Sequence, residues 1–266
     1  MNAPQPSSAE LLATYDAQLR GEAEVYDALS WTRDGPLYRG VLDGGGFVSY
    51  VSLDGIDNIA RLVQRTIGHY RDELGVDEFE WKTRGHDERA EQLHQELCNA
   101  GFIAEEPETV MVGAAELLSH SVAIPTTVNV RRVDNLAEAA DLIARATAMQ
   151  RKVFNGGPSA EEALARLHRS QGTEQFWVAE VHDEIVCAGR LTLIPNADFA
   201  GLWGGATHPD WRGKGIYRAL TAARAGAALA AGKHYLQSDC SPMSRPILER
   251  SGLTAVTTTT PYIWHR

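Results

Sequence analysis

The hydrophobic positions change period several times along the chain, and those changes outline its elements. Thr127 to Val133 alternates apolar and polar residues like a half-buried strand. Asp134 or Asn135 then caps a helical pattern that runs to about Met149. The loop Asn155-Gly156-Gly157-Pro158-Ser159 precedes a second helix, with Ser159 as N-cap and Glu162 three residues on, as in a capping box. Phe176–Val181 and Ile185–Ile194, joined at His182-Asp183-Glu184, read as a hairpin. A turn at Pro195-Asn196-Ala197-Asp198 leads into an apolar run from Phe199 to Ala206. An alanine-rich helical pattern follows, running to about Ala231 and closed by Gly232 in the C′ manner. The chain ends with a short strand (His234 to Ser238), a helix finishing near Ser251-Gly252 and a strand pair reaching Trp264.

The first half echoes this ending. Phe79-Glu80-Trp81-Lys82 is a short strand, and a helix carrying Leu93 and Leu97 ends at Gly101-Phe102. Tyr235-Leu236-Gln237-Ser238 and the helix carrying Leu248 before Gly252-Leu253 follow the same order. A duplication explains the echo, although strand–helix–Gly units recur in any α/β protein. Leu117 to Pro125 reads as the linker between halves 1–120 and 125–266.

Between the Phe199–Ala206 strand and its helix stands Thr207-His208-Pro209-Asp210-Trp211-Arg212-Gly213-Lys214-Gly215-Ile216-Tyr217. Two glycines and two cations sit where a helix begins. Glycines let successive N–H groups turn inward, and the helix start adds unpaired N–H groups and a positive dipole end. The segment therefore reads as a cradle for a phosphate-bearing ligand. The first half has no such cradle. Its strand from Phe47 to Ser52 is followed by Asp54-Gly55-Ile56-Asp57-Asn58, whose aspartates cap a helix but repel a diphosphate.

Charge follows the same division. Residues 1–120 carry nine Lys and Arg against 22 Asp and Glu, a net of −13, whereas residues 121–266 carry 16 against 13, a net of +3. The acidic half argues against general nucleic-acid binding. With 44% hydrophobic and 23% charged residues in 266, the composition is that of a soluble globular protein. No apolar run of about 18 residues is present, and the polar start Met1 to Ser8 lacks signal-peptide features, so a cytoplasmic location is expected. Cys98, Cys187 and Cys240 are scattered and suit reduced thiols. Neither they nor the nine histidines show metal-ligand spacing, so no metal is expected.

Two phosphate motifs fail on spacing. A Walker loop needs Gly-Lys followed by Ser or Thr, and here Gly215 precedes Ile216. A dinucleotide fingerprint needs a small third residue where Arg218 stands, and Pro209 to Arg212 intervene where that motif makes a tight turn.

Arg212-Gly213-Lys214-Gly215-Ile216-Tyr217 resembles the acyl-CoA-binding motif [QR]-x-x-G-x-[GA] of the GNAT N-acetyltransferase superfamily, matching at Arg212 and Gly215 and departing at Tyr217. The order of elements around it resembles the same family. The resemblance implies an α/β fold with a mixed, mostly antiparallel sheet flanked by helices. It covers Thr126 to Arg266 well, and the first half resembles a degenerate copy, as in tandem members. It further implies that the main chain of Gly213, Lys214, Gly215, Ile216 and Tyr217, with Arg212 alongside, holds the diphosphate of acetyl-CoA. Gly205, Ala206 and Thr207 would pair with the pantetheine arm, and Ser241 and Ser244 would line the thiol region.

The catalytic residues are less legible. The Gly201–Ala206 strand lacks the carboxylate that family members often place there, which leaves Asp239 as candidate base, a residue equally suited to capping the next helix. Leu248 stands where the family often has a tyrosine acid, so Tyr262, Tyr217 or Ser241 would substitute, or the thiolate would leave unassisted. Tyr262 is the preferred candidate. The expected activity is acetyl transfer to a primary amine of a small molecule or peptide, the acidic first half suggesting a cationic acceptor. A non-catalytic acyl-CoA sensor and an acyl transfer akin to mycothiol synthesis are the alternatives. Monomer and homodimer are both compatible with the sequence.

Overall fold

The computed structural model describes residues 6–134 and 136–266, with the side chains of residues 136–138 excepted. Met1 to Gln5 and the candidate cap Asn135 lie outside the described residues. The chain forms two compact units. One comprises residues 1–110, 239–243 and 255–266, and the other comprises 111–238 and 244–254. The division therefore differs from a single cut at residues 120–125. The end of the chain belongs with its beginning.

In the first unit, α1 (Ser8–Leu19) is followed by an antiparallel meander of β1 (Ser30–Asp34), β2 (Leu37–Leu42) and β3 (Gly45–Tyr50). Then come α2 (Ile59–Gly68), β4 (Glu78–Arg84), α3 (Ala90–Asn99) and β5 (Ile103–Ala104). β4 runs parallel to β3 over three residue pairs, Gly46–Phe79 to Val48–Trp81. Strict alternation along β4 decides what each face holds. Phe79 and Trp81 join Tyr70, Phe102 and Trp264 in an aromatic core under the apolar stripes of α2 and α3. Glu80, Lys82 and Arg84 point to the opposite face.

β6 (Glu108–Ala114) and the short α4 (Ala115–Leu118) lead to the second unit. There β7 (Val128–Arg132), β8 (Glu174–Val181), β9 (Glu184–Leu193) and β10 (Phe199–Thr207) are successive antiparallel neighbours. α5 (Leu136–Phe154) and α6 (Ala160–Arg169) intervene between β7 and β8 and cover one face, packing Ile143, Ala146 and Met149 on Phe176, Val178 and Ala206. The capping box at α6 forms as expected, with Ser159 Oγ accepting from Glu162 N at 3.2 Å and Glu162 Oε2 accepting from Ser159 N at 2.6 Å. α7 (Ile216–Ala230) covers the other face through Ile216 and Leu220. β11 (Tyr235–Cys240) then runs parallel to β10, again over three pairs, Phe199–Tyr235 to Gly201–Gln237. α8 (Arg245–Arg250) follows.

Meander, helix, short parallel pairing, helix: the order occurs in both units, so the echo in the sequence is an echo in the fold. The expected strand pair at the C-terminus is instead one strand, β12 (Thr254–His265). Its threonine-rich stretch contains no turn residue, and β-branched side chains favour continued extension. β12 pairs antiparallel with β4, from Thr259–Arg84 to His265–Glu78, and with β5.

Candidate functional site

The strand-to-helix corner of the second unit follows from its glycines. Gly213 (φ +75°) and Gly215 (φ +78°) are both left-handed, a region that L side chains occupy only with strain. Gly215 is the N-cap of α7 and carries no side-chain cap. The N–H groups of Gly213, Lys214 and Gly215 have no hydrogen-bond partner among the described residues. Helix geometry leaves the N–H groups of the first turn, beginning at Ile216, without intrahelical acceptors. Trp211 and Pro209 lie in a single 3-10 turn, and His208 Nδ1 accepts from Asp210 N at 3.4 Å. Arg212 is exposed and donates from Nε to Thr207 O at 3.3 Å. Lys214 Nζ lies 4.3 Å from the centre of the Trp211 ring. The corner presents main-chain donors, a helix dipole and two cations, which together make an anion receptor.

Beside this corner, β10 has a bulge. Trp203 pairs with Arg190 and Ala206 with Ala188, so three steps on β10 oppose two on β9. Gly204 takes φ +59° there, and its carbonyl accepts from Gln150 Nε2 of α5 at 2.6 Å. Beyond Gly201 the edge of β10 that faced β11 has no strand pairing among the described residues. The parallel strands thus part beside the bulge, leaving main-chain groups for an extended ligand to pair with.

The glycines of β10 have a reason that the sequence did not disclose. A Cβ on Gly205 would lie 2.7 Å from Tyr217 Cε2, and one on Gly189 of β9 would lie 2.7 Å from Arg224 Nη1. Gly205 thus makes room for the Tyr217 ring. Arg224 is 1% exposed, and its guanidinium donates to the carbonyls of Leu220 and Arg190 and to Thr221 Oγ1. Burial pulls its pKa down. A lone arginine on the buried stripe of an alanine-rich helix was the available signal for it.

Ser244 occupies the N-cap position of α8 but caps nothing with its side chain, and Ser241 is exposed in the other unit. Asp239 also belongs to the first unit and does not cap α8. Its Oδ2 lies 2.7 Å from Lys82 Nζ. Lys82 in turn lies 3.2 Å from Glu24 Oε1, and Arg84 Nη2 lies 2.5 Å from Glu24 Oε2. Burial alone would raise the Glu24 pKa, but Arg84 and Lys82 outweigh it and hold the group at about 2. Tyr262 packs in the aromatic core of the first unit, and its hydroxyl lies 2.6 Å from His94 Nδ1. Burial pushes its pKa up. Both candidate catalytic groups are therefore engaged by the first unit's own residues.

Residues 143–245 match the acetyltransferase (GNAT) family model. A GCN5-related N-acetyltransferase from Kribbella flavida is 14% identical and superposes with a TM-score of 0.65, over 96% of this chain and 94% of that one. A GCN5-related N-acetyltransferase from Sphaerobacter thermophilus is 18% identical, with a TM-score of 0.62 over 86% and 76% of the two chains. A tandem GNAT protein from the clavulanic acid biosynthesis pathway is 10% identical, with a TM-score of 0.61 over 98% and 97%. No curated protein matches the sequence. The match to the GNAT model covers residues 143–245 only, and the fold over nearly the whole chain is that of GNAT structures, a tandem one among them. No group of metal-ligating side chains is found among the described residues, and no described helix is long and apolar enough to cross a membrane.

Proposed function

We propose that this protein is an acetyl-CoA-dependent N-acetyltransferase that carries acetyl to a primary amine of a small molecule or peptide by direct attack in a ternary complex. The observation that carries the reading is the corner at Gly213 and Gly215, where unpartnered N–H groups, a bare helix start and two cations converge. Gly213, Lys214, Gly215, Ile216 and Tyr217 would hold the diphosphate through their main chain, with Arg212 beside it. Gly205, Ala206 and Thr207 would pair with the pantetheine arm along the parted edge of β10. Acetyl-CoA supplies the activated thioester. A main-chain N–H at the Trp203–Ala206 bulge is the candidate donor to the developing oxyanion.

Proton transfer has no strong side-chain candidate. The Asp239 carboxylate is already ion-paired with Lys82, and the Tyr262 hydroxyl is already engaged by His94. Deprotonation of the amine, with a free pKa of about 10 by analogy with lysine, then falls to solvent before attack. On this reading kcat/KM climbs with pH toward the amine pKa and is unchanged in D239N. In the proposal the second unit is catalytic and the first structural, the protein is cytoplasmic, and it works as a monomer or homodimer.

Isothermal titration with acetyl-CoA, followed by thiol release with a panel of polyamines, aminoglycosides and amino acids, tests the activity. Binding with turnover supports it, and absence of acetyl-CoA binding at about 1 mM overturns it. A second reading, an acyl-CoA sensor without turnover, is favoured by buried Leu248 at the family's acid position and by the engaged Asp239. Acetyl-CoA binding without thiol release from any amine would select it.

A further inference from the structure

The buried face of α7 carries a cation without a matching charge. Arg224 is 1% exposed, and no carboxylate pairs with it among the described residues. Arginine is almost never buried without an anion, because a charge taken out of water needs a counter-charge. Here neutral acceptors hold the guanidinium: the Leu220 carbonyl (3.3 Å), the Arg190 carbonyl (3.0 Å) and Thr221 Oγ1 (3.2 Å). The titratable groups that face it are the Tyr217 hydroxyl, a further hydrogen-bond partner, and the Cys187 thiol of β9. Burial pushes the Cys187 pKa up to about 11, so it stays a thiol and supplies no charge.

The sheet is hollowed to receive this pair. Gly189 and Gly205 are neighbours on β9 and β10, a Cβ on the first lying 3.4 Å from the Cα of the second. Arg224 Nη1 fills the space over Gly189. The Tyr217 ring fills the space over Gly205, with its hydroxyl oxygen 3.1 Å from the Cβ position. Both side chains therefore meet the β10 bulge. Arg190, whose carbonyl takes the Nη1 hydrogen bond, stands opposite Trp203 where the bulge begins, and Gly205 lies within it. Arg224 is sealed and Tyr217 half-buried, so the pair runs from the interior out to the bulge.

A guanidinium only donates, so the Tyr217 oxygen accepts from Arg224 and its own proton is directed elsewhere. Donation into that oxygen strengthens the hydrogen bond that the O–H can give, and a buried charge acts at low local dielectric.

We infer that Tyr217, backed by the buried charge of Arg224, holds the sulfur of the acyl-CoA thioester as negative charge develops on it, a role that rests on the acetyltransferase reading. That reading sets the pantetheine arm against Gly205 and the acetyl carbonyl at the bulge. As the amine nitrogen bonds to the acetyl carbon, the C–S bond breaks, its electron pair passes to sulfur and the surplus proton on nitrogen goes to solvent. The oxyanion has a main-chain donor at the bulge. The thiolate is the second anion formed there, and the unmatched charge of Arg224 answers it. Tyr217 donates to the sulfur and keeps its proton. It is a catalytic residue, and Arg224 is a positioning residue that acts through it.

The test is a pH titration of the thiol of coenzyme A bound to the full chain, read by far-ultraviolet difference absorption of the thiolate, with saturation fixed by isothermal titration. The free thiol has a pKa of about 8.5 if it behaves like cysteine. At pH 7 the bound thiol should be about tenfold more ionised than free coenzyme A, a shift of about one pKa unit. Y217F keeps the ring over Gly205, so it should fold and bind, and its bound thiol should titrate like the free one. R224K should keep most of the ionisation and R224Q should lose it. An unshifted thiol in the parent overturns the role of the pair, as does a Y217F chain that keeps the shift. Equal loss in R224K and R224Q would make Arg224 a packing residue and overturn its assignment. Absence of coenzyme A binding by the parent is a separate result, which overturns the acetyltransferase reading and the role of the pair with it.

Discussion

After Tyr50 the chain leaves a strand through Asp54-Gly55-Ile56-Asp57 and enters α2 under Asn58, whose Oδ1 accepts from Arg61 N at 2.7 Å. After Thr207 it leaves another strand through Arg212-Gly213-Lys214 and enters α7 at an uncapped Gly215. In the first corner a side chain satisfies one of the helix donors, and loop carbonyls turn toward the Arg89 guanidinium. In the second corner the donors have no side-chain cap and the charges beside them are positive. The same topology has become an acceptor-rich corner in one unit and a donor-rich one in the other. The local difference is small: an asparagine in place of a glycine at the N-cap, and aspartates in place of Arg212 and Lys214. The teaching is that ligand polarity at such a corner is set by what satisfies the helix start, not by the sheet beneath it.

The units differ equally in what they bury. The second unit packs mostly aliphatic side chains on both sheet faces, with Phe176 among them. The first packs aromatics on one face and the Glu24–Lys82–Arg84–Asp239 network on the other. K82M should have the largest effect, about 3–5 kcal/mol of lost stability, because it leaves Asp239 without its close cation. Chemical denaturation reads it, and a loss under about 1 kcal/mol would mean that solvent screens the network.

G215A comes next. Both φ +78° and a Cβ position 2.9 Å from Ala123 O oppose the substitution. The strain is about 1–3 kcal/mol, or roughly tenfold to a hundredfold in acetyl-CoA affinity if the corner holds that ligand. Unchanged affinity by titration would remove the second corner's claim to be a receptor.

Glu80 supplies a pH test confined to the first unit. Burial, the largest cause, raises its pKa to about 7 from the ordinary 4.5. A carboxyl raised on folding contributes stability below its unfolded pKa and loses that contribution as pH rises through 7. E80Q should therefore be more stable than the parent at pH 8, by about 1–2 kcal/mol, which is some 2–6 °C in Tm. At pH 4 the two proteins should melt together. Glu24 has the opposite sign. Its folded pKa of about 2 lies below 4.5, so its contribution is complete above the unfolded value and is lost as pH falls toward 2.

G55A is the matched control for G215A and should have the smallest effect. Gly55 has φ +73°, but no atom lies within 4 Å of a Cβ placed there. We expect a stability cost of about 1 kcal/mol and no change in acetyl-CoA affinity. A loss of affinity as large as that of G215A would mean that the two corners are not functionally distinct.

Features within a turn or two of chain were legible from the amino-acid order alone. The Gly213–Gly215 corner, the Ser159–Glu162 capping box, the hairpin at His182 and the echo of strand and helix all rest on neighbouring residues, where φ preference, capping and alternation act locally. Partnerships across long separations were not legible, because many pairings satisfy the same local pattern and only packing chooses among them. Lys82 finds Asp239 across 157 positions, and His94 finds Tyr262 across 168. That Gly205 lies against the Tyr217 ring is likewise invisible in the sequence. β12 joins the first unit because β4 presents an edge that its threonines can pair with, a choice that no run of residues announces. Short-range stereochemistry therefore determined the donor-rich corner, while side-chain contacts between distant segments decided that Asp239 and Tyr262 already have partners.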